Sequence, residues 1–176
     1  MNAHLKRGYV QVYTGSGKGK TTAAMGLALR AAGAGLKVFM GQFLKAAPCG
    51  ERRALRRFRG NVTVKTYGRR CFVRGTPSDA DVQAAAAGLK HAESALVSGK
   101  YDVVILDEVC VAVRLGLLAV GAVLSVVDRK PVGVELVLTG RNAHRRIIER
   151  ADLVTEMRQV KHYYARGVKA RRGIEM

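Results

Sequence analysis

A chain of 176 residues with a hydrophobic fraction of 48% can bury one genuine core, which argues against a disordered protein. Its longest uncharged stretch, Leu115 to Val127, is too short for a bilayer crossing of roughly 20 residues, so no membrane partner is expected. The formal net charge of +18 points to an anionic partner, either nucleic acid or a phosphate-bearing small molecule.

The chain opens with a short polar segment, Met1 to Arg7, which does not read as a secretory signal. A first strand is expected over Tyr9–Tyr13. Directly after it, Thr14-Gly15-Ser16-Gly17-Lys18-Gly19-Lys20-Thr21-Thr22 reads as a phosphate cradle. Its glycines let successive N–H groups turn inward on anionic oxygens, Lys20 supplies a compact positive charge, and Thr21 offers a hydroxyl to a magnesium ion. A helix over Lys20–Ala34 follows, rich in helix formers and stopped by Gly33 and Gly35. The usual loop has a glycine five residues before the glycine of Gly-Lys-Thr. That position is Thr14 here, and the glycine falls one later, at Gly15. The displacement leads to the expectation that a triphosphate lies in a different pose.

Lys37–Leu44 reads as a second strand, Glu51–Arg59 as a short basic helix, and Val62–Tyr67 as a third strand. The run from Arg52 to Arg74 also holds Arg53, Arg56, Arg57, Arg59, Lys65, Arg69 and Arg70, with Glu51 as its lone acid neighbour. It is either a surface for a polyanion or a solvated basic face, and no nucleic-acid motif or aromatic alternation accompanies it. Gly68–Ser78 is expected to be a loop. It contains Phe72, a large apolar side chain that packs either on the core or on a ligand. Ser78 or Asp79 caps the next helix, which runs to about Ser98.

Tyr101–Leu106 has the branched apolar content of a buried central strand, and it ends at Asp107-Glu108. Carboxylates at the carboxyl edge of a parallel strand sit near the phosphate loop, where they hold a metal directly or through water. The alternative is that Asp107 caps the following helix. Val109–Val127 is an apolar helical stretch that its glycines divide, and Val134–Thr139 is the fifth strand. Gly140-Arg141 follows it, placing an arginine either on phosphate oxygens or in solvent. Ala143–Ala151 is expected as a basic helix and Leu153–Met157 as the last strand, with a basic tail over about 158–176. His144 and His162 are either anion contacts or surface residues.

Strands alternating with helices predict an α/β fold: a three-layer, P-loop NTPase-like (RecA-like), mostly parallel sheet flanked by helices, as one domain over residues 1–176. Cys49, Cys71 and Cys110 are odd in number and widely spaced, which fits reduced thiols in the cytoplasm and no zinc site. No serine elbow, catalytic cysteine context or histidine–carboxylate motif stands out, so the attacking group is expected to come from a second substrate.

Several motifs occur in one order: residues 14–24, Gly-Gln-Phe-Leu-Lys at 41–45, Val-Ile-Leu-Asp-Glu at 104–108 and Leu-Val-Leu-Thr-Gly-Arg at 136–141. Ala-Asp-Leu-Val-Thr-Glu-Met at 151–157, Val-Lys-His at 160–162 and Gly-Val-Lys-Ala-Arg-Arg-Gly-Ile-Glu at 167–175 complete the series. Together they resemble the P-loop family of ATP:corrinoid adenosyltransferases, which act in cobalamin biosynthesis and salvage. The resemblance implies transfer of the 5′-deoxyadenosyl group of ATP to cobalt(I) of cob(I)alamin or a cobyrinic-type corrinoid, with tripolyphosphate leaving. It implies that ATP lies reversed, so that the ribose C5′ faces the nucleophile. Gly15, Ser16, Gly17, Lys18, Gly19, Lys20, Thr21 and Thr22 would hold the triphosphate, with Arg141 as a further phosphate contact. Thr21, Asp107 and Glu108 would serve Mg2+ or Mn2+, and Lys20 and Glu108 would be catalytic. Other members carry a Phe and a Trp in the loop before the next helix. With no Trp in this chain, Phe72 is the candidate for displacing the corrinoid's lower axial ligand. A homodimer and a flavoprotein reductase as partner belong to the same expectation. The rival is a P-loop ATPase that binds nucleic acid through its arginine face, and a nucleotide sensor is a third reading.

Overall fold

A computed structural model of the protein describes residues 4–44, 50–68 and 77–175. The elements are β1 (Val10–Thr14), α1 (Lys20–Gly33), β2 (Val38–Gln42), α2 (Gly50–Leu55), β3 (Val62–Thr66), α3 (Asp79–Val97) and β4 (Val103–Asp107). They continue as α4 (Val109–Arg114), α5 (Val120–Asp128), β5 (Glu135–Thr139), α6 (Arg145–Ile148) and β6 (Leu153–Glu156). Short 3-10 turns cover Arg56–Phe58 and Tyr163–Arg166.

The six strands form one sheet in the order β3-β2-β4-β5-β1-β6, and every pairing is parallel. A sheet buried on both faces needs apolar residues at consecutive positions rather than alternating ones. β4 meets that need, with every residue buried. Val104 and Leu106 join the core on one side of the sheet with Phe39, Leu136 and Leu138, beneath α3, α4 and α5. Val103 and Ile105 join the other side with Met40 and Val137, where Ala24, Ala28 and Ala31 of α1 let that helix lie close. In α3, Ala85, Leu89, Ala92 and Leu96 repeat at the helical spacing and are all buried.

This layering creates the site. The chain leaves β1 toward α1 on one face and leaves β4 and β5 toward α4 and α6 on the other. The loops therefore part at the carboxyl edge and leave a crevice there.

Two expectations are refined. The apolar stretch 109–127 is divided at Gly116, whose φ of +73° ends α4 before Leu117 and Leu118 are buried. Ser78 caps α3 through a capping box with Asp81. One expectation is corrected: Ala143–Ala151 holds only the single turn Arg145–Ile148. Beyond it the backbone tightens, with Arg150 N donating to Ile147 O and Ala151 N to Ile148 O. That tightening delivers Asp152 to β1, where its N–H donates to Val10 O and its carboxylate accepts Val10 N at 2.7 Å.

Candidate active site

The glycine loop joins β1 to α1, and its shape follows from what it packs against. Met157, just after β6, donates its N–H to Thr14 O at 2.9 Å and accepts the Gly17 N–H at 2.6 Å. A Cβ added to Gly15, at φ +95°, would lie 2.5 Å from Met157 O, and one on Gly17 would lie 2.7 Å from the same atom. The close approach thus requires glycine at position 15. Position 14 serves another purpose, because the Thr14 hydroxyl accepts the Ala143 N–H at 3.0 Å. It pins the turn that carries Arg141 to the root of the phosphate loop. The displaced glycine has this local physical cause.

Lys20 opens α1 and is only 6% exposed. Its ammonium donates to Gly15 O at 2.8 Å and Gly17 O at 2.7 Å. Burial lowers its pKa from the ordinary lysine value, the Arg141 charge lowers it further, and Glu108 opposes both.

Asp107 ends β4 with no solvent exposure. Its Oδ1 accepts the hydroxyls of Thr21 at 2.9 Å and Thr139 at 2.8 Å, and its Oδ2 accepts Gln42 Nε2 at 3.0 Å. Thr139 Oγ1 in turn accepts the Glu108 N–H at 2.9 Å. Glu108 has φ +63°, a left-handed conformation that directs the chain from β4 into α4. Gln42 Oε1 is buried without a hydrogen-bond partner, leaving a bare acceptor beside the carboxylate. Gly140 lets the β5 turn cross α4, because a Cβ there would meet Cys110 Cβ at 2.8 Å and Val111 N at 2.9 Å.

These residues surround a cavity of about 210 Å³ lined by residues 17–22, Glu108, Arg141, Ile174 and Glu175. The structure thus brings together Gly17, Lys18, Gly19, Lys20, Thr21, Thr22, Glu108 and Arg141. Gly15 shapes the loop from behind, Ser16 is exposed, and Asp107 acts from beneath the cavity floor through Thr21. Phe72 lies outside the described residues. His144 and His162 cap short turns, their Nδ1 atoms accepting Arg146 N and Tyr164 N. The Cys110 thiol is buried and pushed up to about 12, mainly by burial and further by Glu108, which makes it a poor nucleophile.

Sequence reading missed Gln42 and Thr139 as partners of Asp107, and Ile174 and Glu175 as cavity wall. Gln42 and Thr139 were polar residues at strand ends, a usable signal. Nothing local marked Ile174 or Glu175 as neighbours of a loop more than a hundred residues earlier in the sequence.

Fold and loop place the chain in the class of P-loop NTPase-like α/β domains. Comparison with known proteins narrows this. The profile of the ATP:corrinoid adenosyltransferase family BtuR/CobO/CobP matches residues 6–176, and the chain belongs to that family. A corrinoid adenosyltransferase of Escherichia coli K12 is 40% identical over 175 residues, covering 98% of this chain and 88% of the relative. Corrinoid adenosyltransferase CobA of Salmonella typhimurium is 39% identical over 175 residues, with 98% and 88% covered. The corrinoid adenosyltransferase of Pseudomonas aeruginosa is 38% identical over 174 residues, with 98% and 86% covered.

Proposed function

We propose that this chain transfers the 5′-deoxyadenosyl group of ATP to the cobalt(I) centre of a corrinoid, either cob(I)alamin or a cobyrinic-type intermediate, in cobalamin biosynthesis or salvage. The observation that carries this reading is the cavity in which Lys18, Lys20 and Arg141 converge beside the amides of the glycine loop. That arrangement suits a polyphosphate. Cobalt(I) of the substrate attacks the ribose C5′, a cobalt–carbon bond forms, and the C5′–O bond breaks. The electron pair departs on tripolyphosphate. No protein nucleophile is needed, in keeping with the inert Cys110 thiol. Lys20, Arg141 and the loop amides neutralise the leaving group and hold C5′ in line with the metal.

The donor set fits a magnesium or manganese ion, a hard cation bound by oxygen atoms, water and nucleotide phosphates. Thr21 Oγ1, oriented by Asp107, and Glu108 would hold it, and the buried Gln42 Oε1 leaves an acceptor nearby. When bound, the ion would supply further charge neutralisation at the polyphosphate.

Phe72 is our candidate for displacing the lower axial ligand. A single domain, a homodimer, a cytoplasmic location and a flavoprotein reductase as electron donor complete the reading, supported by the family membership. Among the described residues, no helix is long and apolar enough to cross a membrane.

The test supplies ATP, magnesium and chemically reduced cobalamin together. The expected result is a light-sensitive adenosylated corrinoid plus tripolyphosphate. Orthophosphate without adenosylated product, released faster when DNA or RNA is added, would replace this reading with the nucleic-acid ATPase.

A further inference from the structure

The segment after β6 carries motifs of the family resemblance, at 160–162 and 167–175, yet the reaction above gives them no role. In the structure that segment comes back to the phosphate loop. The 3-10 turn Tyr163–Arg166 buries none of its residues, so no apolar core fixes its position. A polar knot does so instead. Glu175 Oε1 accepts from the Tyr163 hydroxyl and from Arg171 Nη2, while Oε2 accepts from the Arg171 N–H at 2.8 Å and from Arg171 Nε at 3.3 Å. The Arg171 guanidinium lies over the Tyr163 ring, 5.1 Å from its centre. With these donors, chiefly those of Arg171 and then Tyr163, the carboxyl is held at about 2.

The knot has a consequence at the cavity. Ile174 and Glu175 form part of its wall, and the Ile174 carbonyl accepts Lys18 Nζ at 3.3 Å. A carboxylate in the wall of a phosphate cavity would normally repel the ligand. Here Arg171 answers its charge, and the same pairing aims the neighbouring carbonyl at a cavity lysine.

We propose that residues 158–175 form a strap across the nucleotide, latched by Tyr163, Arg171 and Glu175, which act as positioning residues for ATP. The role in turnover rests on the adenosyl transfer proposed above. Strap and triphosphate share Lys18, so binding the polyphosphate and ordering the strap reinforce each other.

The latch makes a prediction about sign. Arg171→Met leaves a bare carboxylate facing the phosphates, whereas Glu175→Gln only loosens the strap. The ATP KM is therefore expected to rise about tenfold in Arg171→Met and about threefold in Glu175→Gln. The double variant should fall back toward Glu175→Gln, with the corrinoid KM changed less than about twofold in all three. Tyr163→Phe removes one donor and is the milder check, with an ATP KM raised about two- to threefold.

A second measurement needs no corrinoid. Inorganic tripolyphosphate with magnesium should slow tryptic cleavage at Lys161, Arg166 and Lys169 in the unaltered protein, and should do so less in Tyr163→Phe. Cleavage unaffected by tripolyphosphate, or an ATP KM unchanged in Tyr163→Phe and Glu175→Gln, would overturn the strap. Protection without any adenosylated corrinoid would leave the strap standing and remove the proposed reaction. Adenosylation without protection would do the reverse.

Discussion

The Thr21 hydroxyl donates to the Asp107 carboxylate at 2.9 Å, although the strands that lead to these residues, β1 and β4, are separated by β5. The contact fixes the hydroxyl's proton on Asp107 and leaves the Thr21 oxygen lone pairs for the cavity. Asp107 thus serves the site through Thr21.

Asp107→Asn removes the negative charge that the two hydroxyls and the Gln42 amide address, and its NH2 group faces Gln42 Nε2 unless the Gln42 amide turns its free Oε1 toward it. The magnesium concentration for half-maximal activity is expected to rise about 10- to 100-fold. Titrating activity against magnesium checks this. Gln42→Leu, which leaves Asp107 Oδ2 one donor short, should cost about 1–3 kcal/mol in urea unfolding.

Thr14 departs from the usual loop glycine because its hydroxyl holds Ala143 N. Thr14→Gly, the more conventional residue, is therefore expected to destabilise the fold by about 1–3 kcal/mol. It should also raise the ATP KM, because the same turn carries Arg141. Thr14→Ser should retain most of both properties. Thermal unfolding and ATP saturation curves for the pair are the check.

Gly15 and Gly26 predict opposite outcomes for the same substitution. Gly15→Ala forces a methyl against Met157 O at a positive φ and should cost about 2–4 kcal/mol. Gly26 lies within α1 with open space around it, so Gly26→Ala should stabilise by about 0.5–1 kcal/mol. Unfolding curves that shift the same way for both variants would be at odds with the packing described for the loop.

Lys20 predicts a pH dependence. Its folded-state pKa is lowered, so between that value and the unfolded one the unfolded chain binds more protons, and stability rises with pH there. Nucleotide binding behaves oppositely, because a triphosphate favours the charged ammonium. ATP affinity should weaken as pH climbs through the lowered value, earlier than for an ordinary lysine, and binding should take up a proton in that window. Calorimetry in alkaline buffers of different ionisation enthalpy measures the uptake, which Lys20→Arg should abolish.

Most of the candidate site was legible in the sequence because the phosphate binding proposed for it is a local affair: one loop supplies the amides, Lys20 and Thr21. Strand ends marked Asp107, Glu108 and Arg141 by the same logic. What stayed hidden depends on strand order. Nothing in a linear reading places β5 between β1 and β4, so Thr139 could not be seen to share Asp107 with Thr21. The helix expected over Ala143–Ala151 shrank to one turn because Asp152 had to reach Val10, a tertiary demand that overrides helix propensity. The glycine shift was visible, but its causes, the Met157 backbone just after the neighbouring strand β6 and the Ala143 N–H held by Thr14, come from residues distant in sequence.

In the proposed reaction the bond that breaks lies at the ribose carbon, on the near side of the bridging oxygen. ATP labelled with oxygen-18 at the position joining C5′ to the α-phosphorus, turned over with reduced corrinoid, reports which bond is cut. All of the label should leave in tripolyphosphate while the adenosyl group appears on cobalt. Label retained on an adenosine-containing product, with orthophosphate released, would rule the reaction out.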